Sequence, residues 1–595
     1  MTALAVELLH WLARLPFLAV DDLALLTGSP APDVEADVRD LARAGQVDSI
    51  TPSSPELETT RLYVLTEPIR RQMASAAWAS GQETALPLEP RDILRRLASL
   101  EATVALNVFA ADLAAALRRD PNAELEDLWA LPTRRPATAW WPPGVHASGS
   151  IRIGAGRAPF FVVIDRAGAP SPHRTALVAA WYRFREGPQP RATGCFPPAL
   201  ILCPGPAWED AWARHVLASA DRRGLPPLPV LLASRAGLRG DPDGPHWRRA
   251  DDGGRATLTH RLAATPAPSA YCRPRPPRLG SCPRDASVKA IPLHSWAQET
   301  ARDNRKASRL ELMAALSLTT SEVEKRLLDC LARHPLLTEL QLATVLDVQR
   351  RVVSYAISRA VRDGLVAAYD GASTPTPHYC LTGTGLELFA TRDGVPLRRY
   401  ARHTVLTVLP TTLSGPLPTL LQQFEHTAGA NSFFVSWLRQ APAGGPRLVT
   451  WLNAAEAAVR FDSAGSRRWL RPDGSGTVIA GERRFPFLLE WDRGTERLPV
   501  IASKLARYSE YFEVQRTHGN GSPTLLFVTT TPQREELVWG VATLVLGQAA
   551  AGLRTSTASL LEQLGPMGAI WRTRTQLSRA PWPERAAQND NALEV

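Results

Sequence analysis

A gapless recurrence of apolar positions 319 residues apart is the strongest constraint on this chain. Leu8, Leu9, Ala13, Arg14 and Pro16 recur as Leu327, Leu328, Ala332, Arg333 and Pro335. Leu23, Ala24, Gly45 and Val47 recur as Leu342, Ala343, Gly364 and Val366. A repeat unit of roughly 300 residues is a duplicated set of domains, not a solenoid. Such a chain carries its own comparison, because polar groups kept in one copy and lost in the other are candidates for function.

The first copy opens with an amphipathic helix ending before Pro16, a short helix Val20–Leu26 stopped by Gly28, and a third over Pro32–Ala44 closed by Gly45. A strand follows at Arg61–Thr66. Three helices and a β-wing predict a winged helix-turn-helix over 1–80, and the same pattern recurs over 321–395, with His378–Thr382 matching Leu62–Thr66. After each comes a second matched segment. Asn107 and Phe109 correspond to Asn431 and Phe433, and Pro159, Phe160, Asp165 and Arg166 to Pro486, Phe487, Asp492 and Arg493. Helices ending near Tyr182 and Tyr508 lead to strands Ala199–Cys203 and Thr524–Val528. Strand, helix, strand predicts α/β domains with a partly parallel sheet over 90–262 and 400–575. The Pro- and Arg-rich stretch 263–310 reads as an extended linker, and 578–595 as a disordered tail.

The 595 residues suit about three to five domains. The net charge of +10 favours a polyanionic partner, although an arginine-rich composition alone can produce it. No apolar run approaches the ~20 residues of a membrane-spanning helix, and the start MTALAVELLHWLARL has no basic n-region, so the expected location is cytoplasmic with no membrane partner. The six cysteines form no CxxC pair. A zinc site from Cys195, Cys203, Cys272 and Cys282 has poor spacing, and reduced thiols are the better reading.

The two copies differ in charge where it matters. A recognition helix lies in the major groove, so its exposed face should carry donors rather than carboxylates. The second copy offers Gln349, Arg350, Arg351, Ser354, Tyr355, Ser358, Arg359 and Arg362. The first offers Asp33, Glu35, Asp37 and Asp40 against Arg39 and Arg43. Phosphates would repel the acidic helix, so only the second copy is expected to bind double-stranded DNA through it.

A second asymmetry lies downstream. Asp473 follows Pro472 at a turn, Glu490 ends an apolar strand, and Asp492 lies two residues on, on the same face. Three such carboxylates suit Mg²⁺, which could activate water and neutralise a scissile phosphate. Lys504, one of only four lysines, sits on the next helix and could orient water. In the first copy Val163 replaces Glu490, the segment PPGVHASGS has no Pro-Asp pair, and only Asp165 remains. The competing reading is an acidic cluster held in ion pairs, with Asp492–Arg493 architectural because Asp165–Arg166 also survives.

Pro472–Asp473 and Glu490–Trp491–Asp492 resemble the PD-(D/E)xK restriction-endonuclease-like superfamily, except that Asp492 fills the lysine position, for which Lys504 could substitute. The wider layout resembles the plasmid replication-relaxation family: His426 and Asn431, Trp451 and Glu456, Pro472–Gly474, then Glu490 through Thr495. That resemblance implies a role in replication or transfer of a plasmid or integrative element, with other replication or transfer proteins as further partners. The reading it leads to is a DNA-binding protein with a Mg²⁺-dependent nuclease or nickase site at Asp473, Glu490, Asp492 and Lys504. The alternative is a non-catalytic DNA-binding regulator or adaptor on a scaffold-only nuclease fold.

Overall fold

Alternation decides the architecture, because both α/β regions carry strands apolar on both faces. In a computed structural model, residues 1–58, 60–79, 89–133, 135, 139–169, 171–187, 196–264, 292–303, 305–371, 374–397, 420–441, 445–463, 465–517, 521–547, 552–574 and 578–583 are described. The chain divides into a first unit, Met1–Lys325 with Glu387–Tyr400, and a second, Arg326–Leu386 with Ala401–Val595.

In the first unit, helices Ala3–Arg14, Val20–Thr27 and Ala31–Arg43 precede an antiparallel pair, Val47–Ile50 with Leu62–Leu65. Gly28 (φ +73°) and Gly45 (φ +69°) turn the chain out of the second and third helices in the left-handed conformation that glycine adopts without strain. A six-stranded sheet follows, in the order Ala123–Ala130, Ala147–Ile153, Gly156–Ile164, Ala199–Cys203, Val230–Ser234, Arg248–Arg249. Its three middle strands run parallel and the flanking pairs antiparallel. Val163, Ile201 and Leu232 face helices Ser171–Arg185 and Pro206–Asp221, burying Trp181, Tyr182 and Trp212. Their neighbours Val162, Leu200 and Leu202 face helix Leu100–Leu117 through Leu106, Phe109 and Leu113. That period-two division makes a sheet with helices on both faces. Leu100–Leu117 is, against the sequence expectation, long and apolar enough to cross a membrane, but that apolar length lies largely buried within the protein.

The second unit repeats the plan. Helices Glu339–Leu346 and Arg350–Arg362 lead to Val366–Gly371 paired with Thr374–Leu381. A five-stranded sheet runs Arg447–Asn453, Gly474–Ala480, Arg483–Asp492, Thr524–Thr529, Leu553–Thr557, antiparallel then parallel. Leu488, Leu525 and Phe527 face helices Leu498–Thr517 and Pro532–Leu546, while Phe487, Leu489 and Leu526 face Phe424–Gln440. An extra hairpin, Val459–Ser463 with Ser466–Leu470, is inserted before the second strand.

Agreement extends to register. Val47 pairs with Leu65 and Ile50 with Leu62, while Val366 pairs with Leu381 and Tyr369 with His378. Phe17 (φ +67°) and Leu336 (φ +65°), 319 residues apart, are both fully buried in the left-handed region, where a non-glycine residue is strained. Trp247 donates its indole N–H to Pro242 (2.7 Å) and bridges Ala256; Trp571 donates to Pro566 (2.8 Å) and bridges Ala580.

Four expectations need correction. The run 263–310 is not wholly a linker: Leu293–Arg302 is a helix, and buried Ala297 joins Ala314, Ala315 and Leu318 against Phe17 and Ile50. Proline-rich composition hid an apolar face that only tertiary burial reveals; 265–291 lie outside the described residues. Ala580 is buried and Trp582 joins the second core, so 578–583 are not a disordered tail; 584–595 lie outside the described residues. The strand match also shifts by one. Ala199 lies opposite Phe161 and Leu525 opposite Leu488, so Ala199 corresponds to Leu525 rather than Thr524. Continuous apolar runs have no internal phase to fix their own alignment. The helices carrying Tyr182 and Tyr508 also continue, to Arg185 and Thr517.

Asn107 and Asn431 join the three-helix modules to the sheets. The Asn107 carboxamide donates to the carbonyls of Pro16 and Phe17, both at 2.9 Å, and Asn431 donates to Pro335 at 2.6 Å. Both side chains are buried. Asn107→Ala and Asn431→Ala should each cost about 1–3 kcal/mol, the penalty for stranding buried carbonyls. Denaturant melts of the full chain read this out; a change under ~0.5 kcal/mol would show that the carbonyls find other donors.

Candidate functional site

Asp473 stands just before the strand Gly474–Ala480 and is tied to the next strand twice. Its N–H donates to the Leu489 carbonyl (2.9 Å), and its Oδ2 accepts from the Trp491 N–H (2.8 Å). Oδ1 lies 3.0 Å from Nε2 of His426, on helix Phe424–Gln440. Glu490, only 1% exposed, accepts from the Tyr508 hydroxyl through Oε1 and is ion-paired with Lys504 through Oε2. Lys504 and Tyr508 are four apart on helix Leu498–Thr517, one turn of one face. Asp473, Glu490 and Lys504 therefore share one cluster with two residues absent from the predicted set, His426 and Tyr508. The i, i+4 spacing of Lys504 and Tyr508 was the available signal for the second.

Asp492 leaves this group. Its Oδ1 accepts from the Gly494 N–H (2.9 Å), and Arg534 donates to Oδ2 (2.6 Å) and Oδ1 (3.3 Å). The expectation that Asp473, Glu490 and Asp492 converge as three metal ligands is thus not met. Among the described residues no group of three or more His, Cys, Asp or Glu side chains is placed to hold an ion. The ion-pair reading named the wrong partner too, since Asp492 pairs with Arg534, not Arg493. Of the four cysteines weighed for zinc, Cys195, Cys272 and Cys282 lie outside the described residues, and Cys203 is a buried free thiol.

The cluster's electrostatics follow from burial. Burial and the charge of Asp473 hold the Glu490 carboxyl well above the usual carboxylate range, against the pull of Lys504 and Tyr508. Burial opposes ionisation of Asp473 also, but the His426 bond and the Lys504 charge outweigh it and hold this carboxyl low. His426 is desolvated, yet Asp473 raises its pKa. Lys504 is likewise desolvated, and Glu490 and Asp473 raise its pKa, keeping the ammonium charged. One carboxylate is ionised against an imidazole, and the second depends on a cation beside it.

The first unit supplies the counterpart of each position. His146 donates its N–H to Val162 (2.8 Å) and accepts the Ile164 N–H through Nδ1 (3.2 Å), the two backbone bonds that Asp473 makes. Val163 stands for Glu490 and the fully buried Val178 for Lys504, while Tyr182 bonds the Pro226 carbonyl (3.2 Å). Asp165 keeps the turn of Asp492, accepting from the N–H of Ala167, a left-handed residue like Gly494. Trp212 (2.6 Å) and Arg174 (3.3 Å) are its partners. The turn recurs without the cluster, so Asp492 holds it independently of Glu490 and Lys504.

Trp451 and Glu456 also prove to be joints. The ring of His334 stacks on Trp451 with centroids 3.7 Å apart, Arg333 pairs with Glu456 (3.1 Å), and Asn453 donates to the Arg333 carbonyl (2.8 Å).

On helix Arg350–Arg362, Val353, Ala356, Ile357 and Ala360 are buried, leaving Gln349, Arg350, Arg351, Tyr355, Ser358 and Arg362 exposed and Ser354 and Arg359 half-buried. Glu339 fixes Arg350 (2.6 Å) and Ser354 (2.7 Å), Ser358 bonds its own helix, and Arg362 pairs with Asp363. On the first unit's helix Ala31–Arg43, Arg39 pairs with Glu35 and Arg43 with Asp40, both at 2.9 Å, so its two cations are neutralised.

His146 makes the first unit acid-sensitive. Burial and the Arg96 charge lower its pKa from 6.5 to about 4. The unfolded chain then binds the proton more readily, so its contribution to stability is complete above pH 6.5 and lost as pH falls towards 4. The loss reaches up to about 3 kcal/mol. His146→Asn should lose less stability than the wild type between pH 7 and 4.5 in denaturant titrations; parallel losses would remove His146 as the source.

A family model described as replication-relaxation matches residues 328–525, a span holding helix Arg350–Arg362, His426, Asp473, Glu490 and Lys504. No curated protein matches the chain.

Proposed function

We propose that this is a DNA-binding protein of a plasmid or integrative element, acting in its replication or transfer, and that it arose by duplication of a winged-helix plus endonuclease-like unit. In this reading the second unit docks on duplex DNA through helix Arg350–Arg362 and acts on a phosphodiester at the Asp473–Glu490–Lys504 cluster. The carrying observation is that these three side chains, from a turn, a strand and a helix, meet around the buried Glu490, and that their first-unit counterparts are His146, Val163 and Val178. The family match over 328–525 supports the replication or transfer role, and a cytoplasmic setting goes with it.

Asp473 and Glu490 would be the two carboxylates offered to a divalent ion, with Glu490 Oε2 buried and held by the Lys504 ammonium. Mg²⁺ commonly takes one or two carboxylates and keeps its remaining waters. Bound there, it would neutralise phosphate charge and acidify a water. His426 holds Asp473 ionised, Tyr508 orients Glu490, and the Lys504 ammonium is a fixed positive charge for a phosphate oxygen. Arg350, braced by Glu339, and the exposed Arg351 supply backbone contacts, with Gln349, Ser354, Tyr355, Ser358, Arg359 and Arg362 along the same helix. A second reading, a non-catalytic regulator or adaptor, is favoured by one observation: Arg534 occupies Asp492.

Supercoiled plasmid with Mg²⁺ or Mn²⁺ discriminates between them. The wild type should nick it, and Glu490→Ala and Asp473→Ala should lower the rate at least 100-fold while DNA affinity stays within about threefold. Equal nicking by wild type and variants, or none at all, removes the nuclease claim. Arg350→Ala and Arg351→Ala should each weaken duplex binding and lower the salt slope by about 1. Unchanged affinity in both would remove the docking helix.

A further inference from the structure

The first unit, stripped of the acidic cluster, holds a cavity of about 610 Å³ where that cluster would stand, lined by His146, Val163 and Asp165. Seven arginines and three carboxylates line it, leaving four cations in excess. The carboxylates are engaged: Asp165 with Trp212 and Arg174, Glu387 with Arg309 (2.6 Å), and Asp393 with Arg166 (2.8 Å).

Two guanidinium groups are underused. Arg174, 3% exposed, has Nη2 buried without an acceptor among the described residues, and its Nε has only the loose Asp165 ion pair. Its guanidinium lies over Trp208 (4.5 Å) and Trp212 (6.0 Å), which fix its plane. Arg96, 4% exposed, gives Nη2 to the Leu131 carbonyl but leaves Nε without an acceptor among the described residues. His146 accepts at Nδ1, so its neutral ring carries the proton on Nε2, a further donor in the cavity lining. Buried N–H groups without acceptors cost about 1–3 kcal/mol each, and planar guanidinium donors match phosphate oxygens.

We propose that this cavity binds a phosphomonoester, held by Arg174, Arg96 and His146, as a free mononucleotide or as the 5′-phosphate of a DNA end. The volume lies within the range of small-ligand pockets. Val163 puts no carboxylate where the second unit has Glu490, and Asp165 is bound by Trp212 and Arg174, so the first unit would hold a phosphate without acting on it. The proposal does not depend on whether the second unit cleaves DNA.

Calorimetric titration of the full chain with dAMP, deoxyadenosine, inorganic phosphate, and a trinucleotide with and without 5′-phosphate tests it. dAMP should bind at least tenfold more tightly than deoxyadenosine, with inorganic phosphate competing. A tenfold gain from the trinucleotide's 5′-phosphate assigns the site to DNA ends, and dAMP binding without that gain assigns it to mononucleotides. Arg174→Gln and Arg96→Gln should each weaken binding at least tenfold. Should either variant misfold, hydrogen exchange on the wild type decides: ligand must slow exchange at 144–147 and 163–168. Phosphate-independent binding, or protection confined to other segments, overturns the proposal.

Discussion

The buried carboxamides of Asn107 and Asn431 hold together the part of each unit on which the rest depends. Each reaches from a long helix against the sheet to the carbonyl of a proline, Pro16 or Pro335, where the first helix of a three-helix module has just ended. The next residue, Phe17 or Leu336, is driven into the left-handed region and fully buried. A bulky residue in that conformation is strained, and the freed carbonyls cannot reach water. One amide resolves the second problem and thereby fixes the corner. The following strand contact, Leu18 with Tyr63 or Leu337 with Tyr379, is set by the same turn.

The internal comparison separates polar groups that serve this architecture from those that do not. Buried Glu209 is bound by Arg255 (2.7 Å), and buried Glu535 by Arg579, in the same place in each unit. Asp165 and Asp492 hold the same turn. Such groups would look catalytic if burial and charge were the only criteria. His426, Asp473, Glu490 and Lys504 have no polar equivalents in the first unit except His146, whose ring preserves the backbone bonds of Asp473 while removing its charge.

What could be read from sequence was local. Gly28 and Gly45 marked helix ends, short apolar runs marked the strands, and the i, i+2 relation of Glu490 and Asp492 placed them correctly on one strand. What could not be read was the choice of partner. Arg534 reaches Asp492 across 42 residues and His426 reaches Asp473 across 47, and neither has a periodic signal. Helix Leu293–Arg302 and the buried Trp582 were obscured for a related reason. Their segments are polar and proline-rich on average, and only the few side chains that meet a core distinguish them from linker or tail.

Energetics argue that the Glu490 cluster is not kept for stability. Desolvating a carboxylate and an ammonium costs several kcal/mol per ion, and replacing a buried pair by well-packed apolar residues is often neutral or stabilising. The first unit shows the apolar arrangement: Val163 and Val178 stand where the second unit has Glu490 and Lys504, both buried, in a sheet whose first five strands have the same order and directions. The fold therefore forms without the pair. Placing Glu490 beside Asp473 adds repulsion that Lys504 offsets and that burial amplifies. A site whose carboxyl is poised by a single ammonium responds strongly to any added cation or phosphate. A purely structural position gains nothing from that sensitivity.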